Sequence, residues 1–94
     1  MKARYILGLD GPYEGRIIPL KTSVVIGRNT HCSHITIEED CISDIHCIIE
    51  TSGTKTYITD LNSGGGTWLS DGRKLKKNIK TPLEENAEFC VGSS

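Results

Sequence analysis

Nothing in this chain approaches the run of roughly 18 consecutive apolar residues that a membrane-spanning helix requires. The opening stretch, Met1-Lys2-Ala3-Arg4-Tyr5-Ile6-Leu7-Gly8-Leu9-Asp10, meets charge and glycine too early for a secretory signal. The expectation is therefore a cytoplasmic protein, with the nucleus as the alternative in a eukaryote, and no membrane partner. Neither sign of charge dominates: 11 Lys and Arg stand against 12 Asp and Glu, a formal net charge of −1. Without a broad basic field to hold a phosphate backbone, nucleic acid is not an expected partner, and any anion must be recognised locally.

There is also no C-x-x-C pair. Without a secretion signal, Cys32, Cys41, Cys47 and Cys90 read as thiols rather than a disulfide framework. Cys47 and Cys90 fall in apolar, strand-like runs, where a small buried residue is the expectation. His31, Cys32, His34, Cys41, His46 and Cys47 are zinc-ligand residue types, but adjacent residues such as His46 and Cys47 on a strand point to opposite faces and cannot ligate one ion. Gly64 to Gly66 lacks the Lys and Ser/Thr of a P-loop, and no nucleophile, base and orienting acid converge in the sequence. The expectation is no enzyme, no cofactor and no metal.

What is present is enough for one modest core in one domain, residues 1–94, at 36% hydrophobic content. The apolar periodicity is that of strands. Tyr5 to Leu9, Arg16 to Leu20, Ser23 to Gly27, Ile35 to Ile37, His46 to Glu50, Lys55 to Asp60, Thr67 to Leu69 and Glu88 to Val91 are short runs rich in β-branched, aromatic or aliphatic residues. Turn formers separate them at Asp10-Gly11-Pro12, Thr51-Ser52-Gly53-Thr54, Asn62 to Gly66 and Asp71-Gly72. Such spacing predicts an all-β sandwich or barrel. The one helical candidate, a turn from Leu83 to Ala87, is too short to stand alone.

Three clusters lie at strand ends or in loops: Gly27-Arg28, then Ser43 and His46, then Asp60-Leu61-Asn62-Ser63 leading to Gly66-Thr67. A rigid sheet holding them could bring an arginine and a hydroxyl around one anion. In order and spacing, together with Trp68-Leu69 and the closing Phe89-x-Val91-Gly92, they resemble the forkhead-associated (FHA) domain over almost the whole chain. The resemblance implies a β-sandwich of about eleven strands in two mostly antiparallel sheets, with loops at one end that bind phosphothreonine in an extended partner segment.

The site residues that follow from it are Arg28, Ser43, Asp44, Gly64, Gly65 and Thr67 for the phosphopeptide, with Gly27, His46 and Gly66 as structural support. Arg28 offers a planar donor fork that keeps its charge and suits a dianionic phosphate, although it could instead pair with Asp44 at the surface. Ser43 would add a short, charge-assisted hydroxyl bond, or else bond its own backbone in a turn. His46 is expected to tie the loops together rather than act as a base.

The chain also departs from the family. The asparagine usual before the Gly-Thr pair, which holds the peptide backbone, is Gly65, and Gly64 likewise has no side chain to offer. Asp44 puts a carboxylate where relatives place a basic or amide residue, opposing phosphate. The basic stretch Arg73-Lys74-Leu75-Lys76-Lys77 with Lys80 could bind nucleic acid or acidic residues of a partner, but on a hairpin it reads first as a solvated edge. Leu83 to Glu88 replaces a Gly-Asp pair. The sequence stops at Gly92-Ser93-Ser94 where relatives continue into a last strand, so Tyr5 to Leu9 is expected to present an open edge and to favour self-association. Phosphothreonine-dependent protein interaction in Ser/Thr kinase signalling, weakened by Gly65 and Asp44, is the leading expectation. A phosphate-independent interaction or oligomerisation domain on the same scaffold is the alternative.

Overall fold

Side-chain alternation along three central strands decides the architecture. The computed structural model describes residues 4–9, 13–20, 22–84 and 87–92. In chain order the strands are β1 (Tyr5–Leu7), β2 (Ile17–Pro19), β3 (Ser23–Gly27), β4 (Ile35–Thr36), β5 (Cys47–Ser52), β6 (Lys55–Asp60), β7 (Thr67–Leu69), β8 (Thr81–Leu83) and β9 (Phe89–Val91). Five of them form one sheet in the order β4-β3-β5-β6-β8, antiparallel except for the β3–β4 pair.

The register sets Val24 opposite Ile49, Ile26 opposite Cys47, and Ile49 opposite Ile58. Because successive residues point to opposite faces, all five share the face that becomes the core, and all are buried. Two separate ribbons, β1–β2 and β7–β9, cover that face. They pack Ile6, Ile18, Leu69, Phe89 and Val91 against it. Truncating a fully buried member such as Ile49 or Ile58 to alanine is expected to cost about 2–5 kcal/mol.

The expected all-β fold with two facing layers is present, and no α-helix occurs among the described residues. Several expectations need correction. Among the described residues there are nine strands rather than about eleven, and the second layer is two ribbons rather than one continuous sheet. β1 ends at Leu7, after which Gly8 makes only a bridge to Glu14. β5 runs on to Ser52 because the tight turn at Gly53-Thr54 lets its pairing with β6 extend to Ser52 opposite Lys55.

β8 was not expected, since Pro82 lacks an N–H; it is tolerated because β8 is the outermost strand of its sheet. Leu83, read as the start of a helical turn, is the last residue of β8. An Ala87 N–H to Glu84 carbonyl bond closes the chain after it, and Glu85 and Asn86 lie outside the described residues. Cys90 is exposed rather than buried, because Phe89 and Val91 take the inward positions of β9. The predicted Asp10-Gly11-Pro12 turn and Ser93-Ser94 also lie outside the described residues. No helix of the described residues is long and apolar enough to cross a membrane.

Candidate functional site

β3 ends, β5 begins and β6 ends at the same edge of the molecule, since Ile26 pairs with Cys47 and Cys47 with Asp60. The loops after β3, before β5 and after β6 are therefore neighbours. Backbone bonds lock the first two together: the Arg28 N–H donates to the Ser43 carbonyl at 2.9 Å and the Asn29 N–H to the Asp44 carbonyl at 3.2 Å. Such proximity requires glycine at 27. A Cβ there would overlap the Asp44 carbonyl oxygen and lie 2.7 Å from Ser33 Oγ. Gly27 thus serves a close backbone approach rather than a turn out of the strand.

His46 ties the third loop to the second. It is fully buried. Its Nδ1 accepts the Ser43 N–H at 3.1 Å, and its Nε2 meets the Gly66 carbonyl at 2.7 Å. One nitrogen faces a donor and the other an acceptor, which selects the Nε2–H tautomer and uses both ring positions. Both ring nitrogens are thereby engaged between the loops, and neither is free for proton transfer. The Ser43 hydroxyl accepts the Gly64 N–H at 3.0 Å, so the second and third loops meet at Ser43 as well. Among the described residues nothing accepts the Ser43 O–H, which remains an available donor.

Beneath these loops lies a buried carboxylate to which the sequence reading assigned no role. Asp60, 1% exposed, accepts from the Ser63 hydroxyl, from the Thr67 hydroxyl at 2.7 Å and from the Ser63 N–H at 3.0 Å. Ser63 Oγ in turn accepts the Gly66 N–H at 3.0 Å. Burial alone would raise the Asp60 pKa, but the donors from Ser63 and Thr67 outweigh it and hold the carboxyl below its usual range. Cys47 beside it is pushed up to about 12 by burial and by the Asp60 charge, so it stays a thiol. Thr67, expected among the peptide contacts, is fully buried with its hydroxyl given to Asp60. Its place is under the site.

The rim is of another kind. The Arg28 side chain is 44% exposed, with its Nη1 at 3.7 Å from Asp40 Oδ1 and its Nε at 3.7 Å from Asp44 Oδ1. The pairing with Asp44 weighed from sequence is thus present, joined by Asp40, which sequence reasoning missed because it lies far along a loop. Gly64 is exposed with open space at its Cβ position. Gly65 is not open: a Cβ there would overlap the Cys41 carbonyl oxygen and lie 3.0 Å from Gly92 Cα. The 37–46 loop occupies the ground on which a side chain at 65 would have to start. No group of three or more His, Cys, Asp or Glu able to hold a metal occurs among the described residues.

The structure thus brings Arg28, Ser43, Asp44, Gly64, Gly65, His46 and Gly66 into one corner, with Gly27 and Thr67 supporting it from inside. A family model described as FHA domain matches residues 24–92. The FHA domain-containing protein FhaB of Mycobacterium tuberculosis is 28% identical over 81 residues, covering 86% of this chain and 52% of that protein. The chain thus spans about half the length of the curated relative it matches. Among solved structures, the FHA domain of an Arabidopsis thaliana hypothetical protein superposes with a TM-score of 0.85 at 26% identity, covering 97% of this chain and 78% of that one. The MEK1 FHA domain, solved in complex with a HOP1 phosphothreonine peptide, superposes at 0.75 with 24% identity, covering 81% of this chain and 80% of that one.

Proposed function

The chain belongs to the FHA domain family, and from that membership and the geometry of the loops we propose that it is a phosphothreonine-dependent protein-interaction module in Ser/Thr kinase signalling. One observation carries the reading: backbone bonding holds Arg28 against Ser43, and the Ser43 hydroxyl is bonded to the Gly64 N–H with its own proton still to give. A phosphate carries about −1.5 to −2 charge and three strong acceptor oxygens. Seated between the Arg28 guanidinium and the Ser43 hydroxyl, it would gain charge-assisted bonds from both. The MEK1 FHA domain, of the same fold, is known with a phosphothreonine peptide bound, which supports the same ligand class here. The proposed unit is one intracellular domain over residues 1–94, acting by binding and not by catalysis.

The proposed affinity is low. Asp40 and Asp44 already face the guanidinium, and phosphate must displace them or bear their repulsion. The missing side chain at Gly65 removes a bond to the peptide backbone. A net hydrogen bond is worth about 1 kcal/mol, and 1.4 kcal/mol is a factor of ten, so two losses of that size, about 2 kcal/mol together, weaken binding by roughly thirtyfold. Calorimetric titration with a phosphothreonine peptide and its unphosphorylated form tests the reading, with a phosphopeptide-library pull-down to find the sequence. Heat only from the phosphorylated peptide is expected. Equal binding of the two forms contradicts it.

A second reading, a phosphate-independent self-association domain, is favoured by the outer face of the β1–β2 ribbon. Register sets Tyr5 opposite Pro19 and Leu7 opposite Ile17, and Tyr5, Leu7, Leu9 and Ile17 are all exposed. A second copy stacking on that face would bury them. Light scattering at high concentration decides: a dimer abolished by Ile17→Asp supports this reading, and a monomer removes it.

A further inference from the structure

The basic stretch after β7 does not lie flat. The chain turns at Ser70-Asp71-Gly72, Trp68 bridges to Lys74, and the Leu75 N–H donates to the Thr67 carbonyl. Beside this hairpin is an open pocket of about 330 Å³. Leu69, Leu75 and Ile79 form its apolar walls, and Arg73, Lys74 and Lys76 its cationic rim. Ile79 is 55% exposed, so its aliphatic side chain is open to a partner beside the cationic rim. Arg73 is already paired with Asp71 at 2.8 Å and Lys80 lies 4.0 Å from Glu50. No carboxylate among the described residues lies within ion-pair distance of Lys74, Lys76 or Lys77.

Lys74 connects this pocket to the loops. Its ammonium lies 5.4 Å from the centre of the Trp68 ring. A Cβ built on Gly66 would fall 2.6 Å from Lys74 Cε and 3.4 Å from its Nζ. The Lys74 side chain therefore lies directly against Gly66, two residues from the Gly64 N–H that holds Ser43. An extended peptide advances about 3.3 Å per residue, so a few residues suffice to pass from one region to the other.

We propose that the Lys74–Lys76–Ile79 pocket is an accessory docking surface for the segment flanking the phosphothreonine, selecting partners whose flank combines acidic residues with one aliphatic side chain. The inference rests on the phosphothreonine reading and adds the flank chemistry to it. Charge complementarity carries it: Lys74 and Lys76, with no carboxylate among the described residues in ion-pair reach, rim an apolar pocket that an aliphatic side chain fills and a sugar-phosphate strand does not. Trp68, the aromatic available for stacking a base, is instead covered by Lys74.

Fluorescence anisotropy at low and high salt provides the test, with two phosphothreonine peptides. One carries three Asp and one Leu beside the phosphothreonine, and the other carries Ser and Gln in their place. The acidic peptide is expected to bind on the order of fivefold to tenfold more tightly at low salt, with the ratio falling toward one at high salt. In Lys74→Gln/Lys76→Gln the low-salt ratio falls toward one, and Ile79→Ser lowers it as well. Lys55→Gln, which removes a charge from the β5–β6 hairpin outside both regions, leaves it in place. Phosphate-dependent binding with no preference for the acidic flank overturns this inference alone, as does a preference that survives the double substitution or a short single-stranded oligonucleotide that displaces the acidic peptide. Failure of both peptides to bind in a phosphate-dependent way overturns the phosphothreonine reading and this one with it.

Discussion

Two regions of the same corner use charge in opposite ways. Beneath the loops, Asp60 is buried and each of its bonds comes from a fixed neighbour, Ser63 or Thr67. At the rim, Arg28 is half exposed and its acidic neighbours stand at 3.7 Å, beyond hydrogen-bond reach. The first arrangement is costly to disturb because every donor it serves would be left buried without an acceptor. The second is nearly free to rearrange, since exposed ion pairs contribute about 0–1 kcal/mol. Rigidity below and an exchangeable charge above are what a reader of phosphate needs: the loops keep their shape while the arginine changes partners.

The sharpest way to break this contrast is to remove the buried carboxylate. Asp60→Ala strands the Ser63 N–H and two hydroxyl protons, and a loss of about 3 kcal/mol is expected, read as a lower urea midpoint at unchanged slope. The pH dependence follows from the same group. Because the folded pKa of Asp60 is depressed, its contribution is fully present above the unfolded value of about 3.9 and is lost as pH falls through the lower, folded value. Asp60→Asn should therefore flatten the acid limb of the stability curve below about pH 4, as measured by denaturation across pH.

Gly65→Asn sharpens the comparison from the side of the family pattern. Restoring the usual asparagine would drive a Cβ into the Cys41 carbonyl, so the expectation is destabilisation of about 1–3 kcal/mol without tighter binding. A thermal melt and a peptide titration of the variant check both halves. The smallest effect is expected at the rim itself. Asp44→Asn removes one carboxylate facing Arg28, should tighten phosphopeptide binding by about threefold at low salt, and should leave stability within about 0.5 kcal/mol.

Much of this could be read from residue order. Alternation in β3, β5 and β6 declared a buried face, and the Gly27-Arg28, Ser43/His46 and Gly66-Thr67 clusters marked the corner where the loops meet. What stayed hidden depended on tertiary neighbours. Nothing local says that Asp60 lies under the loops, although hydroxyl residues three and seven positions on were a signal that it could be bonded if buried. Thr67 looks like a surface hydroxyl until the β7–β9 pairing turns it inward. Asp40 reaches Arg28 only because the 37–46 loop folds back, and the same fold closes the space above Gly65. β8 escaped notice since a proline normally excludes a strand and only an edge position excuses it. Lys74 was legible as charge but not as a neighbour of Gly66, which the hairpin alone creates.

The most direct measurement follows individual nuclei while a phosphothreonine peptide is added to isotopically labelled protein. The Gly64 amide and the Arg28 Nε–H resonances should shift together and saturate at the same peptide concentration, with no such shifts from the unphosphorylated peptide. Phosphate-dependent binding that moves other resonances and leaves both of these in place would contradict a phosphate held between Arg28 and Ser43.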